Sequence, residues 1–155
     1  MASLVPSCIS YDPTFSYEVA VIMQEALERM YVREEDVFYY ITTMNESYHH
    51  PAMPNNSKEG ILKGMYLLQK AKKKVDITLL GSGSILLEII KAAGYLSEHY
   101  NINANVWSVT SFNELKREAI SVERKNKLNP TKDVQKSYVQ NTPLIIKKHY
   151  IPYEI

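Results

Sequence analysis

The stretch YITTMNESYHHPAMP, from Tyr40 to Pro54, carries two of the chain's four histidines side by side, His49 and His50, ahead of Pro51. Imidazole moves protons and ligates metals, so three readings compete here: a metal site, a single catalytic or substrate-binding histidine, and an idle loop. Metal binding has the least support. Adjacent residues on an extended chain point to opposite sides, and Pro51 biases His50 toward that extended region. No Cys, Asp or Glu stands at zinc-ligand spacing nearby, the nearest acid being Glu46. A single working histidine and an idle one stay open on the residues alone.

A second stretch, Gly81-Ser82-Gly83-Ser84, follows an apolar run and precedes a helical pattern, the setting of a phosphate-binding loop. The pattern is incomplete. Leu86 replaces the third glycine of G-x-G-x-x-G, no Lys-Ser/Thr pair follows, and no acid ends the next strand to hold a ribose. A tight strand-to-helix turn is the expectation. Nucleophilic catalysis finds no support either, since Cys8 has no evident base and no G-x-S-x-G occurs. His99 at a helix end and His149 in the tail need only surface readings.

The elements that must hold these residues read as α/β. Asp12-Pro13 is a good N-cap and first position, and Val19, Ile22, Met23, Ala26, Leu27 and Met30 then form one apolar helical face from about Pro13 to Tyr31. Glu18, Gln24, Glu25, Glu28 and Arg29 fill the other faces. Val37 to Thr43 (VFYYITT) predicts a strand buried on both faces, and the histidine loop leaves its end. Ser57 caps a short helix through Lys63, with Gly64 as its stop; Met65 to Gln69 suits either helix or strand. Val75–Leu80 and Asn103–Val109 flank a helix carrying Leu86, Ile89, Ile90, Ala93 and Leu96, which makes a βαβ unit with a parallel sheet. Ser111 and Glu114 give a capping-box pattern for another helix. Beyond Asn126 a loop is expected, with Leu144 to Ile146 as one more strand.

Composition bounds the rest. At 155 residues and 45% hydrophobic content the chain suits one domain of ordinary size, and its net charge of +1 argues against a nucleic-acid footprint. The cluster from Lys70 to Lys74 reads as a solvated turn. One cysteine gives no intramolecular disulfide, and neither a transmembrane run nor a signal peptide is evident, so a cytoplasmic location is expected.

Four segments, SCISYDPTFSYEVAVIMQEALERMY, YYITTMNESYHHPAMP, LLGSGSIL and VWSVTSFNEL, occur in this order. Together they resemble the homodimeric, bacterial-type decarboxylating component of the pyruvate dehydrogenase complex, over about Leu4 to Val139. The resemblance implies an internal segment of a thiamine diphosphate- and Mg2+-dependent enzyme with transketolase architecture. That enzyme decarboxylates pyruvate and reductively acetylates lipoyl groups of the acetyltransferase component, its partner besides a second copy of itself. It implies a division into 1–60, the C-terminal part of the middle domain; 61–74, a linker; and 75–155, the N-terminal part of the transketolase-like C-terminal domain, both domains incomplete. In the family motif N-E-x-Y-H-x-P, matched by Asn45, Glu46, Tyr48, His49 and Pro51, the histidine meets substrate and intermediates, so the resemblance gives His49 the catalytic role and His50 a variable position. The family's cofactor-binding and cofactor-activating segments have no match here, which leads to the expectation that the isolated chain is inactive. The alternative is a non-catalytic module that pairs with the rest of the enzyme.

Overall fold

Cys8–Tyr11 forms the first strand, β1, in the computed structural model, which describes residues 4–144 of the chain. All four residues are buried, and β1 pairs in parallel with β2, Phe38–Ile41, from Cys8 opposite Phe38 to Tyr11 opposite Ile41. The crossover between them is helix α1, Ser16–Leu27, extended by one π-helical turn over Glu28–Val32. The turn is closed by ion pairs from Arg29 to Glu35 and from Arg33 to Glu25.

Four features of this first unit depart from the sequence reading. β1 is a strand that the sequence pattern does not reveal, because CISY is short and half polar. The helix starts at Ser16 behind Phe15 rather than at Pro13, since Asp12 makes its hydrogen bonds elsewhere. The strand expected to be buried on both faces has one face open: Phe38 and Tyr40 are 50% and 58% exposed, while Tyr39 and Ile41 pack on the core. Aromatic and β-branched composition reports strand propensity but not how many faces are covered. The buried stripe of α1 is also rotated from the expected face. It runs through Glu18, Val21, Ile22 and Ala26, and leaves Met23 and Leu27 about half exposed.

The second sheet has the order β3-β5-β4, with β3 at Tyr66–Gln69, β4 at Ile77–Gly81 and β5 at Ala104–Ser108. β4 and β5 are parallel and joined by helix α3, Gly83–Tyr100, which is the expected βαβ unit. Leu86 is fully buried on the inner face of that helix, with Ile89, Ile90 and Ala93 packed around Phe15 and Val106. β3 runs antiparallel to β5, so Met65–Gln69 resolves as mainly strand. Helix α2, Lys58–Lys63, ends at Gly64 in the left-handed region (φ 105°), as its sequence predicts. Residues 61–74 thus hold the last turn of α2, then β3 and the exposed lysine turn.

Helix α4, Phe112–Leu128, is capped by Ser111, whose Oγ accepts from the Glu114 N–H at 3.0 Å. It runs past Asn126, and one further turn, α5 (Tyr138–Asn141), packs back on it. The strand expected at Leu144 to Ile146 lies, beyond Leu144, outside the described residues.

The two sheets are joined by a buried carboxylate. Glu18, placed by its charge on a solvated face of α1, is 0% exposed. Its Oε2 accepts from the N–H groups of Thr14 (2.5 Å) and Phe15 (2.9 Å), and its Oε1 from the hydroxyls of Tyr66 on β3 and Ser108 on β5, both at 2.6 Å. A buried charge is tolerated only when its lone pairs are satisfied in this way. Because the single Tyr66 proton goes to Glu18, the Tyr17 hydroxyl, 2.6 Å away, is the donor to Tyr66. The spacing of α1 residues cannot reveal this, since the partners lie 48 and 90 residues downstream.

The same cluster makes the fold sensitive to alkali. Burial pushes the Tyr17 hydroxyl up from 10.0 to about 12, with the Glu18 charge adding. Burial and then Glu18 push Tyr66 up further still. A tyrosine that holds its proton more tightly when folded contributes stability that is intact below pH 10 and is lost as the pH rises through the folded value. The urea midpoint is therefore expected to be level from pH 8 to about 9.5 and to fall between pH 10 and 12. A midpoint unchanged at pH 11 contradicts it.

Candidate functional site

The histidine loop leaves β2 at Thr42, which extends the β1–β2 ladder by donating its N–H to the Tyr11 carbonyl at 3.1 Å. Beyond it the chain is held to the start of α1 at two points. The Tyr48 hydroxyl donates to the Thr14 carbonyl, and burial raises its pKa, keeping the proton on this donor. The Ser16 N–H donates to His50 Nδ1 at 3.1 Å. The Tyr48 and His50 rings also lie against each other, centroids 4.5 Å apart, and the Phe15 ring meets His50 edge-on at 6.3 Å.

His49 sits between these anchors and is exposed, with no hydrogen bond or ring contact among the described residues. Tyr48 and His50 thus reach residues 14 to 16 beside the start of α1, while the expectation that the two histidines face apart rests on the alternation of an extended chain. Among the described residues no group of three or more His, Cys, Asp or Glu could hold a metal ion. The loop then reaches α2 through a turn in which Ser57 Oγ donates to the Pro54 carbonyl at 2.7 Å, with Asn56 left-handed (φ 59°).

The glycine turn between β4 and α3 is filled by the protein itself. Ser82 is the N-cap of α3 and Gly83 its first residue, at φ +50°. The Asp12 carbonyl accepts from the Gly83 N–H at 3.2 Å. The Asp12 carboxylate accepts from Ser82 Oγ at 2.8 Å and from the Thr42 hydroxyl. A carboxylate thus stands where a phosphate loop would receive its anion. Thr14 Oγ1 adds a bond to the Gly83 carbonyl at 2.8 Å.

Beside Asp12 a cavity of about 470 Å³ opens at the carboxyl ends of β1, β2 and β4. Its walls are largely apolar, with Tyr40, Leu80, Ile85 and Phe112 around Asp12 and Thr42. This is where open α/β sheets place ligands, but His49 is not among its lining residues, and its Asp12, Thr42, Ser82 and Asn113 side chains are already paired, Asn113 donating to Ser10 Oγ at 2.6 Å. The sequence signal that marks His49 therefore names one residue of the loop, while the anchors Tyr48 and His50 emerge only with α1 in place. The spacing that could have found them is their position on either side of His49, which puts both on one side of an extended chain.

Comparison with known proteins divides the chain along the same order of elements. A family model for the pyruvate dehydrogenase E1 component middle domain matches residues 1–51, and one for the transketolase-like C-terminal domain matches residues 64–150. The pyruvate dehydrogenase E1 component of Pseudomonas aeruginosa is 51% identical over 142 residues, covering 90% of this chain and 16% of that protein. Those of Cupriavidus necator and Escherichia coli K12 are 44% and 50% identical, covering 95% and 87% of this chain but 17% and 15% of their own lengths. The chain thus spans about one-sixth of the relatives it matches.

Proposed function

The chain belongs to the pyruvate dehydrogenase E1 component family, of which it matches an internal segment comprising middle-domain and transketolase-like C-terminal-domain parts, and from this premise we propose that it serves the pyruvate-decarboxylating, lipoyl-acetylating reaction through His49. The observation that carries this reading is the arrangement of the loop. His49 is the one residue of Tyr48-His49-His50 without a hydrogen bond or ring contact among the described residues, on a loop pinned at both sides to the start of α1. An imidazole presented in this way can donate a hydrogen bond to a substrate carboxylate or carry a proton to and from a reacting oxygen. The seam between the two domain parts lies within residues 51–74.

The described residues of this chain do not fit the thiamine diphosphate and Mg2+ that the family implies. Asp12, at the start of α3, is an anion where a diphosphate would need donors, and its oxygens are already bonded to Ser82 and Thr42. Among the described residues no carboxylate–histidine group could take the metal. The carbanion chemistry belongs to that cofactor, held by other parts of the enzyme, and the part played here is confined to His49. Partners of the proposed enzyme are a second copy and the acetyltransferase component, and no helix among the described residues is long and apolar enough to cross a membrane.

The test replaces the matching segment of the Pseudomonas aeruginosa relative with residues 4–139 of this chain. The chimera is expected to decarboxylate pyruvate, and His49→Ala within it to lower kcat about 100-fold, the lower end of what a positioned acid or base supplies. A chimera as fast with His49→Ala as without rejects the role. The 155-residue chain assayed alone should show no thiamine-dependent decarboxylation.

A second reading, a non-catalytic module that pairs with the rest of the enzyme, is favoured by one observation. Tyr40, Ile85 and Phe112, exposed by 58%, 62% and 60%, line the cavity mouth together and await a cover. An inactive chimera that still assembles at the size of the native relative would favour this reading over the catalytic one.

A further inference from the structure

The catalytic reading leaves His50 without a task, yet His50 is the histidine that the structure holds. Its Nδ1 accepts from the Ser16 N–H at 3.1 Å, and its ring is flanked by Tyr48 at 4.5 Å and Phe15 at 6.3 Å. Ser16 is the first residue of α1, so its N–H has no partner within the helix and is open to capture. On the other side of His49 the Tyr48 hydroxyl closes on the Thr14 carbonyl. Residues 14 to 16 are themselves fixed, because Glu18 binds the Thr14 and Phe15 N–H groups and Thr14 Oγ1 binds the Gly83 carbonyl. The loop is therefore fastened to one rigid ledge at the positions immediately before and after His49.

We propose that His50 is a positioning residue: with Tyr48 it latches the loop to the start of α1 and so presents the His49 imidazole, alone, in a fixed direction. The proposal rests on the reading of His49 as the substrate-facing residue. The chemistry required of His50 is specific. Nδ1 must be an unprotonated acceptor, so a neutral ring carries its proton on Nε2. Asparagine, whose side-chain oxygen is a short-range acceptor, retains the function in part; alanine does not. Backbone fixation on both sides reduces the orientations open to His49, which is how a supporting residue aids a group it does not touch.

The experiment uses the 155-residue chain labelled with 15N. In the unsubstituted chain His50 is expected as the Nε2–H tautomer. His50→Ala should speed Ser16 amide exchange about fivefold, the effect of one lost hydrogen bond, and lower the backbone order parameter at His49. His50→Asn should restore Ser16 exchange to within about twofold of the parent. Tyr48→Phe should leave Ser16 exchange near the parent's while still loosening His49. An Nδ1–H tautomer, or Ser16 exchange unmoved by His50→Ala, overturns the latch. Failure of the functional reading looks different: the latch is observed in full, while His49→Ala leaves the chimera's rate untouched.

Discussion

Glu18→Ala is expected to lower the unfolding free energy by about 4 kcal/mol or more, a large share of the roughly 5–15 kcal/mol that holds a domain of this size together. The substitution strands four donors in a site with no solvent access: the N–H groups of Thr14 and Phe15 and the hydroxyls of Tyr66 and Ser108. Each unsatisfied buried donor costs about 1–3 kcal/mol, less than additively because neighbours relax together. Tyr17 is affected in turn, since its acceptor Tyr66 is no longer held. Glu18→Gln keeps an acceptor oxygen but turns an amide toward the remaining donors, so an intermediate loss is expected. Urea unfolding followed through Trp107, the chain's one tryptophan and the neighbour of Ser108 on β5, reads all of this directly. A loss below about 1 kcal/mol for Glu18→Ala would show that the carboxylate does not join the sheets.

Gly83→Ala comes next, at about 3 kcal/mol, because two costs combine. The residue sits at φ +50°, where a side chain costs about 1 kcal/mol relative to glycine. An added Cβ would also stand 2.6 Å from both Asp12 carboxylate oxygens and 2.8 Å from Asp12 Cγ. Real Cβ atoms are not found so close, so Asp12 must leave, breaking its bonds to Ser82 and Thr42. The two causes separate in a double-mutant cycle. In an Asp12→Ala background the clash is gone, and Gly83→Ala should then cost only the backbone strain, about 1 kcal/mol. Equal costs in the two backgrounds would mean that the contact with Asp12 contributes nothing.

These two sites show where sequence reading succeeds and where it stops. The β4–α3–β5 unit was legible, because Leu86, Ile89, Ile90 and Ala93 repeat at helical spacing and bury as that spacing predicts. The Ser111–Glu114 cap and the Gly64 stop were legible for the same reason: each is a contact within four residues. Asp12 and Glu18 were misplaced. Asp12 has the residue type and position of a helix cap but serves the turn at Ser82 and Gly83, and Glu18 has the charge of a surface residue but is wholly buried. Composition also overstated the burial of Phe38 and Tyr40, which are 50% and 58% exposed.

The candidate site divides along the same line. Adjacency and Pro51 were enough to separate the two histidines, since alternation along an extended chain is a local geometric fact. Family likeness then singled out His49. That His50 is the one bound depended on α1 lying beside the loop, a meeting of residues 34 positions apart.

By itself the sequence determined much of the local order of this protein: most of its helices and strands, several of its turns and the family motif, all written in neighbouring residues. Tertiary structure alone decided which polar groups are buried and what they hold. A carboxylate or imidazole looks the same in sequence whether water or protein supplies its partners, and those partners come from residues as far as 90 positions away.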